Sequence, residues 1–178
     1  LGRRYWMILA LGTVITLARF SEAFLVLRGQ QAGLPVAWAP AILLVMSLVY
    51  ALSAYPTGLA ERRWSRRTLL AAGLAVLIAA DIVLAGATGG AAVLIGAALW
   101  GLHMGLTQGL LSALVADAVP AARAGAAFGF FSMVTGVGLF LASALAGVVW
   151  DRFGAPATFL VGAAFSAVAL VGLVVYRR

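Results

Sequence analysis

Apolar runs long enough to cross a lipid bilayer recur along the whole of this chain, separated only by short connections rich in arginine, glycine and proline. They lie at about 5–27, 37–59, 68–87, 91–115, 124–150 and 156–176. A hydrocarbon core of about 30 Å takes about 20 helical residues to cross, so each run has the length of one span. A barrel would need alternating segments of about ten residues instead, and only helices or closed barrels satisfy their backbone groups in lipid. The expected fold is therefore all-α: a polytopic membrane protein of six transmembrane helices in one domain, residues 1–178.

Composition agrees. Apolar residues make up 65% of the chain and charged ones 10%, against about 45–50% and 25% in soluble domains, so a water-facing surface could not be covered. There is no cysteine, which removes disulfides and thiolate metal sites, and one histidine, His103. Neither a metal site nor a cofactor is expected. The net charge of +7 comes from arginine alone. The sequence starts at Leu1, and its first apolar run continues into a full span rather than ending as a signal peptide. An excised piece of a longer reading frame, or a processed product, is expected.

The arginines divide by side. With the N-terminus in the cytoplasm, Arg3, Arg4, Arg62, Arg63, Arg66, Arg67, Arg123, Arg177 and Arg178 fall on the cytoplasmic side, and Arg28 and Arg152 on the other. Short loops obey the positive-inside rule. Both termini are then cytoplasmic, as an even number of spans requires. This reads the basic charge as topology rather than nucleic-acid binding. The alanine-, glycine- and arginine-rich, lysine-free composition points to a bacterial inner membrane.

The two halves of the chain, about 1–89 and 90–178, resemble each other weakly. Leu17-Ala18-Arg19-Phe20 lies on Gly101-Leu102-His103-Met104, and Gly58 with Glu61-Arg62 finds a counterpart in Gly147 with Asp151-Arg152. Three spans is an odd number, so the two triplets have inverted topology, a pattern found in secondary transporters.

The connection Gly58-Leu59-Ala60-Glu61-Arg62-Arg63-Trp64-Ser65-Arg66-Arg67 resembles the G-x-x-x-D-R-x-G-R-R loop of the major facilitator superfamily. Its acid stands one position early, and Ser65 replaces the second glycine. Gly147-Val148-Val149-Trp150-Asp151-Arg152-Phe153-Gly154 resembles the first part of that pattern, and Asp117-Ala118-Val119-Pro120 with Arg123 resembles the join between the fourth and fifth helices of a family half. The resemblance is to the C-terminal six-helix half. It implies a secondary transporter, a permease moving a small solute by alternating access and driven by a gradient. It also implies a cavity lined by the first and fourth helices, and a partner in the N-terminal half or a second copy of the chain.

Polar groups inside the spans are the site candidates, because a charge at mid-bilayer costs about 2.5–3.5 kcal/mol on insertion scales. Arg19 and Glu22, three apart, would share a helical face with Thr16. They read either as a solute anchor with a proton-coupling carboxylate, or as a structural ion pair. His103 faces a cavity or is a satisfied structural donor, and Gln108 is a weaker cavity candidate. Gly101 and Gly105 mark a packing face. Asp81 is a coupling group or a carboxyl hydrogen-bonded to a neighbouring helix. Tyr50 lies on a side shared with Ser47 and Thr57, facing solute or packing near the interface. At the cytoplasmic side, Glu61 and Asp117 are placed to pair with Arg66, Arg67 or Arg123 and act as a gate. No ATP-binding loop, metalloprotease motif or nucleophile elbow is present, so an enzyme is not expected. The alternative to a transporter is a non-transporting six-helix subunit or assembly partner.

Overall fold

The computed structural model describes residues 1–175. Tyr176, Arg177 and Arg178, which close the sixth apolar run and the arginine count, lie outside the described residues. The described chain is helical: α1 (Arg3–Leu17), α2 (Ala23–Gln31), α3 (Ala39–Ala60), α4 (Arg66–Ala85), α5 (Gly90–Asp117) and α6 (Ala124–Val175), with single 3₁₀ turns at Val36–Trp38 and Ala121–Arg123. Four stretches are long and apolar enough to cross a membrane: Val36–Ala60, Arg66–Ala85, Gly90–Asp117 and Ala121–Val174.

The fourth of these is not one straight rod. Gly154 interrupts it at φ 83°, ψ 174°, a conformation that glycine alone adopts without strain, and Pro156 follows where a new helix starts. The chain folds back there. On the first limb Ala127 meets Tyr5 and Ser143 meets Ser21, whereas on the second Phe159 meets Phe20, Ser166 meets Ala18, and Arg67 donates to the carbonyl of Val174. The limbs thus run in opposite directions along α1 and α4. Glycine and proline had marked this turn in the sequence.

The first apolar run corrects an expectation. It is not one helix: α1 stops at Leu17, and residues 18–22 are unwound before α2 begins. The freed backbone groups find serines. Ser143 Oγ accepts from Ser21 N–H at 3.0 Å, Ser21 Oγ accepts from Ala23 N–H at 3.3 Å, and Ser166 Oγ donates to the Ala18 carbonyl at 3.4 Å. Irregular backbone at membrane depth needs such partners. Both limbs of α6 therefore hold the break open.

Around α5 the helices approach closely through small residues. A Cβ on Gly101 would collide with the Met46 carbonyl of α3, and one on Gly105 with Ser53. Toward α4, Gly73 admits Thr107 and Gly96 admits Leu84. Lipid gives helices no hydrophobic reason to associate, so packing of this kind carries the fold. One core cluster gathers Phe20, Phe24, Trp100 and Phe159 with Trp150 against it, and a second gathers Ile15, Leu70, Leu74 and Leu110. Large apolar side chains such as Leu52, Phe140, Phe153 and Val168 remain exposed, which suits a lipid-facing surface.

Arg28 has a structural task that its place near a span end did not reveal. It is buried in α2, and its guanidinium closes the end of α4: Nε donates to Leu84 O at 2.8 Å, Nη2 to Ala85 O at 3.0 Å and to Ala87 O at 2.8 Å. The last carbonyls of a helix lack intrahelical partners, and a cation there also meets the negative end of the helix dipole. Arg28→Leu is expected to lower stability by about 2–3 kcal/mol, the range for a lost charged hydrogen-bonding group. Thermal unfolding in detergent measures it, and an unchanged unfolding temperature would contradict the clamp. Gly29, expected in a connection, instead lies inside α2 beside Ile42.

Candidate functional site

A recess of ≈ 30 Å³ opens between the end of α1 and the middle of α5, lined by Ile15, Thr16, Arg19, His103, Thr107, Gln108 and Leu111. It has room for about one water molecule. The break at 18–22 brings Arg19 there, and α5 brings His103, Thr107 and Gln108 on successive turns. His103 is 1% exposed, and its Nδ1 lies 2.8 Å from the Gly73 carbonyl. A carbonyl only accepts, so Nδ1 carries the hydrogen, and in the neutral ring Nε2 is the acceptor. The Thr16 and Thr107 hydroxyls donate to Gly12 O and His103 O, each at 2.8 Å. Among the described residues, neither the half-buried Arg19 guanidinium nor the Gln108 amide has a hydrogen-bond partner. The recess therefore offers free N–H donors in a polar patch surrounded by apolar packing. Such donors fit an acceptor-rich group, and a guanidinium fork matches a carboxylate or phosphate in particular.

The expected Arg19–Glu22 ion pair does not form among the described residues. Unwinding removes the helical face that would have set the two side by side. Tyr50 packs half-buried against the aromatic core cluster and does not line the recess. Asp81 sits apart on α4, 0% exposed, with neither carboxyl oxygen hydrogen-bonded. The expectation of a carboxyl bonded to a neighbouring helix is thereby corrected, since the surfaces around it are aromatic or glycine.

At one end of the bundle the arginine-rich segments converge. Arg66 lies between two acids, with Nε 2.8 Å from Glu61 Oε2 and Nη1 2.6 Å from Asp117 Oδ2. This ties the α3–α4 connection to the end of α5. Of the three arginines expected to compete for these acids, Arg66 takes both. Arg67 bonds the Val174 carbonyl instead, and Arg123 and Arg62 make no ion pair among the described residues. Gly58 has open space where a side chain would stand. At the other end, Gly147, Asp151 and Arg152 join no ion pair among the described residues.

The sequence matches the Major Facilitator Superfamily over residues 5–178. The chain belongs to the major facilitator superfamily. This is a family of membrane transporters, not of enzymes. No curated protein sequence matches the chain. Among solved structures, the POT family transporter PepTSo superposes with a TM-score of 0.69 at 19% identity, over 97% of this chain and 37% of that one. The chain thus spans little more than a third of that transporter's length, and the likeness is one of fold.

Two features of this major facilitator chain escaped sequence reasoning. Ser65, a departure from the family loop, has a local reason: its hydroxyl caps α4, accepting from Thr68 N–H at 3.1 Å, as serine does at helix starts. Ser143 and Ser166 hold the break, yet in sequence Ser143 reads only as one more small residue in a packing stripe. Their signal is indirect, since a polar Arg-x-Ser-Glu run inside a span demands partners elsewhere.

Proposed function

We propose that this chain is one six-helix half of a secondary active transporter, moving a small anionic or polar solute by alternating access with proton coupling. The observation that carries the reading is the unpartnered Arg19 in a broken first helix, facing His103, Thr107 and Gln108 across a recess. Discontinuous helices commonly form the substrate sites of secondary transporters. The recess is about a tenth of the smallest usual ligand pocket of roughly 300 Å³. In this reading the N-terminal half or a second copy supplies a second wall and the rest of the cavity.

Six crossings in two inverted triplets, about 1–89 and 90–178, are supported by the antiparallel limbs of α6 and by α1 and α2 lying in tandem. Arg19 and His103, paired by the weak internal repeat, line the same recess. The arginine-rich end is read as cytoplasmic, with both termini there and the membrane as the bacterial inner membrane. The Glu61–Arg66–Asp117 cluster would serve as its gate, since ion pairs bridging two elements can bias a two-state interface.

The test is flux. The full-length protein in proteoliposomes, given an imposed proton gradient and a panel of labelled small carboxylates, phosphates and neutral polar solutes, is expected to accumulate at least one. A protonophore should abolish that accumulation. Absence of flux for every class, together with a stable complex with another membrane chain, would replace the transporter reading with an assembly subunit.

A further inference from the structure

Asp81 is a carboxyl group that nothing in the packed structure explains. It lies four residues before the end of α4, 0% exposed, and both oxygens lack hydrogen-bond partners. Its Oδ2 faces Gly162 on the second limb of α6 so closely that a Cβ there would stand 2.9 Å from it, and equally 2.9 Å from the Phe20 ring. Phe20 belongs to the unwound segment, and its ring packs on Trp100 and Phe159 at 5.3 and 5.4 Å. The Trp100 Nε1 is also buried without a partner. Three parts of the fold thus meet over one carboxyl: α4, the break and the returning limb.

The charged and titratable groups on these elements leave it alone. The α6 limb presents none among residues 153–174. On α5 the only one near this level is His103, which is committed to Gly73. On the break, Arg19 and Glu22 flank Phe20, and Arg19 lines the recess. From α2, Arg28 is committed to the carbonyls of Leu84, Ala85 and Ala87. Asp81 is thus buried with no hydrogen bond or ion pair among the described residues to offset the burial. An ionised carboxylate held this way lacks any compensation for the several kcal/mol that its desolvation costs.

The missing partners also decide what Asp81 can bind. A metal cation needs several oxygen ligands, and no cluster of three or more acidic, histidine or cysteine side chains exists among the described residues. An organic solute needs a cavity. A proton needs neither. We propose that Asp81 is the proton-carrying carboxyl of this chain, protonated while the break, α4 and the α6 limb are packed together and deprotonated when Phe20 and Gly162 draw away and admit water. In the release step the Asp81 O–H bond breaks, the proton passes to water, and the electron pair stays on the carboxylate. No oxidation is involved. This rests on the transporter reading and assigns its coupling proton to Asp81 in place of Glu22.

Two readouts test it on the full-length protein. Infrared spectroscopy in vesicles at neutral pH should show a protonated carboxyl C=O band that Asp81→Asn removes and Glu22→Gln leaves. Absence of the band from the native protein, or its survival in Asp81→Asn, overturns the proposal. In proteoliposomes loaded with a pH dye, Asp81→Asn should lower the number of protons moved per solute exchanged about tenfold or more, since an amide cannot release a proton in this pH range. Proton movement that survives in Asp81→Asn overturns the assignment, as does an equal loss of exchange and proton movement in protein that still elutes as folded. Failure of the native protein to exchange any solute would remove the transporter reading instead, and the infrared result would stand separately.

Discussion

Arg19→Gln in the full-length protein is expected to weaken solute binding by about ten- to a hundredfold while leaving the fold intact. The magnitude follows from the contact it removes. A hydrogen bond to a charged group contributes about 1.5–3 kcal/mol, and each 1.4 kcal/mol is about a factor of ten in affinity. The fold should survive because the guanidinium makes no ion pair or side-chain hydrogen bond among the described residues. Nothing inside the protein is orphaned when it goes. Arg19→Lys keeps the charge and loses the planar fork, so an intermediate loss is expected if the solute presents a carboxylate or phosphate. The measurements are KM for uptake and the unfolding temperature in detergent, which should stay within about 2 °C of native. An unchanged KM in both variants would remove the recess from the solute path. A collapse of stability would make Arg19 a structural group.

How much of this site was legible beforehand depends on what each signal encodes. Hydropathy encodes the medium around a side chain, so it located the apolar runs and the arginine-rich end, and Gly154 with Pro156 located the reversal inside α6. It is blind to the backbone. Residues 18–22 lie in a run apolar enough to pass for one helix, and the unwinding depends on Ser143 and Ser166, more than 120 positions away in sequence. Helical spacing therefore paired Arg19 with Glu22 on a face that does not exist. Arg19, His103 and Gln108 were nonetheless found as candidates, because an isolated polar side chain in lipid needs a reason whatever the backbone does. The role of Arg28 was hidden for the opposite cause: an arginine near a span end has a sufficient topological explanation, and only tertiary packing shows it closing α4. For Asp81 the sequence left coupling and hydrogen bonding open, and the lack of any hydrogen-bond partner among the described residues, which removes the second, follows from packing against α6 and the break.

Gly101→Ala should destabilise the bundle more than any other single methyl group added along α5. The obstacle is the Met46 backbone carbonyl of α3, with its carbon 2.9 Å and its Cα 3.2 Å from the new Cβ. A side chain in the way could turn to another rotamer. A backbone carbonyl inside a helix cannot, so α3 must move away from α5 along the whole contact. Overpacking a well-filled interface costs about 1–3 kcal/mol, and the rigid obstacle puts this case at the upper end. Gly101→Leu should prevent assembly, seen as loss of monodisperse protein in detergent. Gly109 supplies the control on the same helix, since a Cβ there meets nothing within 4 Å. Alanine at that position should be neutral, or stabilising by up to about 1 kcal/mol from helix propensity. Thermal unfolding of the two variants side by side reads the difference. Equal behaviour would mean that α3 and α5 do not meet at Gly101. The placement of α5, and with it the position of His103 and Thr107 opposite Arg19, would then lose its support.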